Sequence, residues 1–158
     1  MRTFTDNCGR AWTVTINVDA IKRVKSLLSV NLLDAIEGRL LERLAGDPVL
    51  LCDVLYVLCK PQADAQNVSD EDFGRSMAGD VIDVAAAALL EELCDFFPKG
   101  RRQLLQKALA KLRTLEETVL TAANRRLDSP ELDRQLQEAI AGGLSGNLPA
   151  SPASIPAS

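Results

Sequence analysis

Histidine is absent from this chain of 158 residues. That excludes a Ser-His-Asp or Cys-His mechanism, a His-ligated metal and any imidazole base. Aromatics are few, with one tryptophan, one tyrosine and four phenylalanines. The core is therefore expected to be packed from Leu, Ala and Val, and stacking platforms for single-stranded nucleic acid are disfavoured. Glycine-rich phosphate loops are missing too: neither GxGxxG nor GxxxxGK[ST] occurs, and Ala141-Gly142-Gly143-Leu144 falls at an expected helix end. The four cysteines, Cys8, Cys52, Cys59 and Cys94, include no CxxC pair. A zinc site without histidine would need all four, and their scatter argues against one. Cys52 and Cys59 lie in one apolar run and read as small core residues on one helical face. Long apolar runs are also lacking. The longest, Val49 to Cys59, is interrupted by Asp53 and is short of the roughly 20 residues that span a bilayer. Met1 to Asp6 offers no apolar core of a signal peptide. Basic excess is missing as well, with 22 acids against 18 bases. The expectation is a soluble cytoplasmic protein with reduced thiols and no cofactor, metal, membrane or nucleic-acid partner.

What is present is mostly helical patterning. Trp12, Val14, Ile16 and Val18 alternate with Thr13, Thr15 and Asn17 as a half-buried strand does, and Phe4 lies between Thr3 and Thr5 on a shorter strand. Asp6-Asn7-Cys8-Gly9-Arg10 supplies the turn, so a hairpin is expected. Asp19 is placed to cap a helix carrying Ile21, Val24 and Leu28. Asn31 with Asp34 opens a second helix carrying Leu33, Ile36, Leu40 and Leu44 and ending at Gly46. Asp47-Pro48 opens a third helix through about Cys59, and Pro61 to Val68 reads as a loop. Ser69 with Asp72 caps a long fourth helix to about Phe97, weakened early by Gly74 and Gly79. A break at Pro98-Lys99-Gly100 leads to a fifth helix, about Arg101 to Leu127. Ser129-Pro130 starts a sixth, with Leu132, Leu136 and Ile140 on one face and Gly142-Gly143 as its stop. The fold class is mainly α (α+β): a small N-terminal β-hairpin, then a helical bundle with a long C-terminal helix. Residues 1–127 form the hairpin plus helical domain, 128–143 an appended amphipathic helix, and 144–158 a disordered Pro/Ser/Ala tail.

No catalytic constellation emerges, and no enzyme is expected. Glu91-Glu92 and Glu116-Glu117 are adjacent pairs, which diverge by about 100° on a helix and do not converge on a substrate. Two features admit both a structural and a functional role. Leu105, Ala108, Leu112, Leu115, Val119 and Ala122 form a heptad seam, either a core stripe or a partner and self-association surface. Its candidate binding residues are Leu105, Leu112, Leu115 and Val119. Charge is also polarised: Asp70 to Asp95 holds eight acids and one base, whereas Lys99 to Arg113 holds six bases and no acid. Folded antiparallel, these stretches would neutralise one another; otherwise the basic face is free to grip an acidic protein or phosphates.

The order of parts supplies a further clue. The hairpin, Thr3 to Thr5 with Trp12 to Val18, is followed by Asp19-Ala20-Ile21-Lys22-Arg23-Val24 and then Asn31-Leu32-Leu33-Asp34. The Leu-rich Pro48 to Leu58 segment comes next, and after a polar stretch Ser69-Asp70-Glu71-Asp72-Phe73. Over residues 2 to 97 this resembles the tail assembly chaperones of long-tailed phages and prophages. The resemblance implies a non-enzymatic factor that coats the tape measure protein, keeps it soluble and helps recruit tail-tube subunits. It further implies a homo-oligomer in the host cytoplasm, absent from the mature virion, and in some members a longer frameshifted form. The rival expectations are a generic cytoplasmic helical adaptor or regulatory dimer, and a virion structural subunit. A co-purifying tape-measure-like partner distinguishes the first rival, and presence in mature particles the second.

Overall fold

The computed structural model of the chain describes residues 1–147. Alternation of threonine with apolar residues gives strands β1 (Arg2–Thr5) and β2 (Ala11–Val14), paired antiparallel with Phe4 opposite Trp12. Both aromatic rings are buried, and Gly9 takes the positive φ of +80° that the turn requires. The strand expected to reach Val18 ends at Val14. Asn17 accepts a hydrogen bond from the Ala20 amide at 2.8 Å and caps α1 (Val18–Leu28), the role expected of Asp19. Asp19 instead lies in the first helical turn, where its charge suits the helix dipole and meets Arg23 at 3.4 Å.

The helix expected from Asn31 to Gly46 is two pieces: a 3-10 turn, Leu32–Ala35, capped by Asn31, and α2 (Leu40–Gly46). The core takes Leu32 and Ala35, then Leu40, Leu41 and Leu44, while Leu33 faces solvent. A spacing of three suits the tighter helix and cannot run on in phase with α2. As expected, Asp47 caps α3 (Pro48–Leu58), accepting from the amides of Val49 and Leu50. The expected loop after Pro61 begins as α4 (Lys60–Ala65), because proline in a first turn forfeits only an amide that lacks a helical acceptor.

The long helix expected from Ser69 to Phe97 is broken into α5 (Asp70–Arg75) and α6 (Asp80–Phe96). The break is at Gly79, whose φ of +64° and ψ of −140° lie where side-chain-bearing residues are strained. Gly79→Ala should cost about 1–3 kcal/mol in urea unfolding. Gly74→Ala, inside a helix with open space around its Cβ, should be neutral or stabilise by up to about 1 kcal/mol.

The contacts divide the chain into two compact units, Met1–Leu112 and a second beginning at Arg113. In the first, α3 is the central helix, packed by α1, α2, α5 and α6, and the hairpin lies on α6. An isolated two-stranded hairpin is marginal in water, and here its outer edge is covered. The Gln62 side chain accepts from the Thr13 amide at 2.9 Å and donates to the Thr13 carbonyl at 2.7 Å.

The remaining helix, α7 (Lys99–Leu127), begins one turn of chain after α6, and Leu105 and Leu109 enter the first unit's core. The second unit holds the rest of α7 and α8 (Pro130–Asn147), whose start is marked by Ser129 Oγ accepting from the Leu132 amide. Gly142 and Gly143 do not stop α8, which continues to Asn147. They cost about 1 kcal/mol each without the left-handed backbone that terminates a helix, since among the described residues only Gly9 and Gly79 are glycines of positive φ. Of the segment 144–158 expected to be a disordered tail, residues 144–147 are therefore helical, and 148–158 lie outside the described residues.

Candidate functional site

A cleft of about 310 Å³ opens in the first unit between α3, α5 and the start of α6. Helical periodicity explains its α3 wall: Leu51, Val54, Leu55 and Leu58 point into the core, which turns Val49, Cys52 and Asp53 toward the cleft. Across from them, Phe73 buries itself and turns Asp70 and Gly74 of α5 to the opening. Met77 and Ile82 complete an apolar lining.

Two carboxylates share this apolar surface. Burial, reinforced by the negative charges of Asp70 and Asp47, pushes the Asp53 carboxyl above its ordinary value. Neither Asp53 nor Asp70 forms an ion pair among the described residues. Burial pushes the Cys52 thiol up to about 11, with Asp53 and Asp70 adding to the effect. Cys52 is thus protonated at neutral pH and a poor nucleophile. Cys59, buried as expected, is pushed up to about 12 by burial against the opposing charge of Arg23. A cation placed beside this apolar lining would relieve the repulsion among the acids.

The four seam residues lie in different surroundings. Leu105 is 1% exposed and belongs to the first unit's core, and Leu112 packs partly against that core. Leu115 and Val119, in the second unit, are 60% and 59% exposed. One periodic stripe thus serves two purposes. Its first half covers a core, which leaves only Leu115 and Val119 of the four open to a partner. Leu120, Leu127, Leu136 and Ile140 of the second unit are also exposed. The cleft itself had one sequence signal, Asp53 interrupting an apolar run, but its convergence with Asp70 is tertiary.

Within the first unit, the C-terminal end of the acidic stretch meets the hairpin. Arg2 reaches Glu91 and Asp95, each at 2.9 Å, and the buried Glu92 meets the Met1 ammonium at 2.6 Å. α6 itself packs on β1, β2, α2 and α3. Among the described residues, no group of three or more acids and cysteines is placed to hold a metal, and no helix is long and apolar enough to cross a membrane. No family model matches the chain, and no curated protein or solved structure does so either.

Proposed function

We propose that the protein is a phage-type tail assembly chaperone. It binds a long helical tape measure protein, keeps it soluble and helps recruit tail-tube subunits. It works in the host cytoplasm as a homo-oligomer and leaves before the virion matures. The cleft is the observation that carries this reading. A client helix lays an apolar side chain between Val49, Met77 and Ile82, and a lysine or arginine one turn away reaches Asp53 and Asp70. Repeated along a long amphipathic client, many such modest contacts add up to a coat without any one being tight.

The test is co-expression with the largest helix-rich protein encoded nearby, followed by size-exclusion chromatography with light scattering. Many copies of this chain should hold that client in solution. Reversing the cleft's charge with Asp53→Lys and Asp70→Lys should weaken client binding by about tenfold or more, or about 1.4 kcal/mol. Circular dichroism should show the helices intact. A chain that runs alone while its neighbour precipitates would remove the proposal.

A further inference from the structure

From Arg113 to Gly143 no residue is buried, and only Ser129 and Leu132 are partly covered. Helices in water owe most of their stability to packing an apolar face, and short ones are marginal by themselves. The second unit nevertheless carries such a face. At 100° per residue, Leu115, Val119, Leu120, Ala123 and Leu127 fall within roughly 140° of arc on α7. Two charged residues interrupt this stripe, Glu116 near its start and Arg126 near its end. Glu117 and Arg125 stand beside them outside the stripe.

We infer that this face is covered by a second copy of the same chain, with the two α7 segments antiparallel about a two-fold axis at the level of Thr121. The occupant follows from charge. The acidic pair Glu116-Glu117 and the basic pair Arg125-Arg126 are separated by about 13 Å along the helix. An antiparallel partner sets Glu116 against the other copy's Arg126, while Glu117 and Arg125 point away from the stripe and reinforce the field at each end. The same register brings Leu115 level with the other copy's Leu127 and Val119 with its Ala123. A parallel pair would instead stack acid on acid and base on base. A charged residue within an apolar seam is costly unless paired, so Glu116 and Arg126 fix both direction and register. The contact is isologous and closes at two copies of this face. The hydroxyls of Thr118 and Thr121 donate to the carbonyls of Thr114 and Glu117, so neither threonine needs a partner across the pair. This inference names an interface for the homo-oligomer of the proposed function, and it holds whatever client the cleft receives.

The test compares four full-length proteins by sedimentation equilibrium: the native chain, Glu116→Arg with Glu117→Arg, Arg125→Glu with Arg126→Glu, and all four reversals together. The native chain should self-associate. Each half-reversed variant should lose about a hundredfold in association, and mixing the two should restore it. The fourfold variant should self-associate again yet exclude the native chain in a tagged pull-down. The near-ultraviolet signal of the buried Trp12 should be unchanged throughout, reporting an intact first unit. A monomeric native chain, half-reversed variants that associate normally, or a fourfold variant that mixes freely with the native chain would each overturn the inference. Client solubility, read separately through the cleft variants, shows whether the chaperone reading stands or falls independently.

Discussion

Replacing Asp6 by alanine should destabilise the first unit by about 3–5 kcal/mol, because it breaks a buried, fully partnered charge. The Asp6 side chain has no exposed surface. Its carboxylate accepts from the Cys8 amide at 2.9 Å, the Arg10 amide at 3.0 Å, Arg10 Nε at 2.8 Å and Trp12 Nε1 at 2.9 Å. Alanine would leave the buried indole N–H without an acceptor and the Arg10 guanidinium, which also stands 5.8 Å over the Trp12 ring, without its counter-charge. The same carboxylate gives the protein an acid-sensitive component. Burial alone would raise its pKa, but the hydrogen bonds from Trp12, Arg10 and Cys8 outweigh it and hold the value at about 2, against an ordinary 3.8. With the folded value below the unfolded one, the native state binds this proton less readily. Its contribution of about 2 kcal/mol is complete above pH 4 and is lost as pH falls through about 2. Urea unfolding of the native chain should show that loss between pH 4.5 and 2, and Asp6→Ala should lack it. An equal acid dependence in both proteins would refute this account of Asp6. The damage should extend to the cleft, since Asn7 in the same turn bonds the carbonyls of Ser76 and Ala78, the two residues flanking Met77.

Asp6 also illustrates what the sequence can and cannot disclose. As a turn residue it is legible, because Asp6-Asn7-Cys8-Gly9 is local turn chemistry. Its role as acceptor for Trp12 depends on the hairpin register and could be suspected only from an acid six residues before a buried tryptophan. The same division runs through the chain. The hairpin, Asp47-Pro48 as the start of α3 and Ser69 as a cap are local signals, and the structure contains each of them. In sequence the Asn31–Gly46 and Ser69–Phe97 segments look continuous because each carries apolar residues at helical spacing. Both are broken where tertiary packing demands a different phase, at the 3-10 turn and at Gly79. The seam from Leu105 to Val119 is periodic throughout, yet periodicity cannot say which turns of a helix a core has already claimed. The cleft was least legible of all, since Asp53 and Asp70 are brought together only by α5 docking on α3.

That docking rests on one side chain, and Phe73→Ala should show it with a loss of about 3–5 kcal/mol. Phe73 is the buried residue of α5, with its ring edge-on to Trp12 at 5.1 Å and tilted against Tyr56 at 5.5 Å. Six residues of helix are far too few to persist without packing, whatever the contribution of the Ser69 cap. Truncation therefore does two separable things. It removes an aromatic contact from the core, and it releases the element that holds Asp70 and Gly74 at the cleft. Phe73→Leu keeps an apolar anchor and should cost only about 1–2 kcal/mol. Hydrogen exchange tells the two effects apart. In Phe73→Ala the amides of Asp70–Arg75 should exchange freely while those of α3 remain protected, and client binding should fall with them. In Phe73→Leu both protection and binding should stay near those of the native chain. If α5 in Phe73→Ala remained as protected as in the native chain, its hold on α3 would have to come from elsewhere. The cleft would then be a property of the backbone, independent of the aromatic cluster.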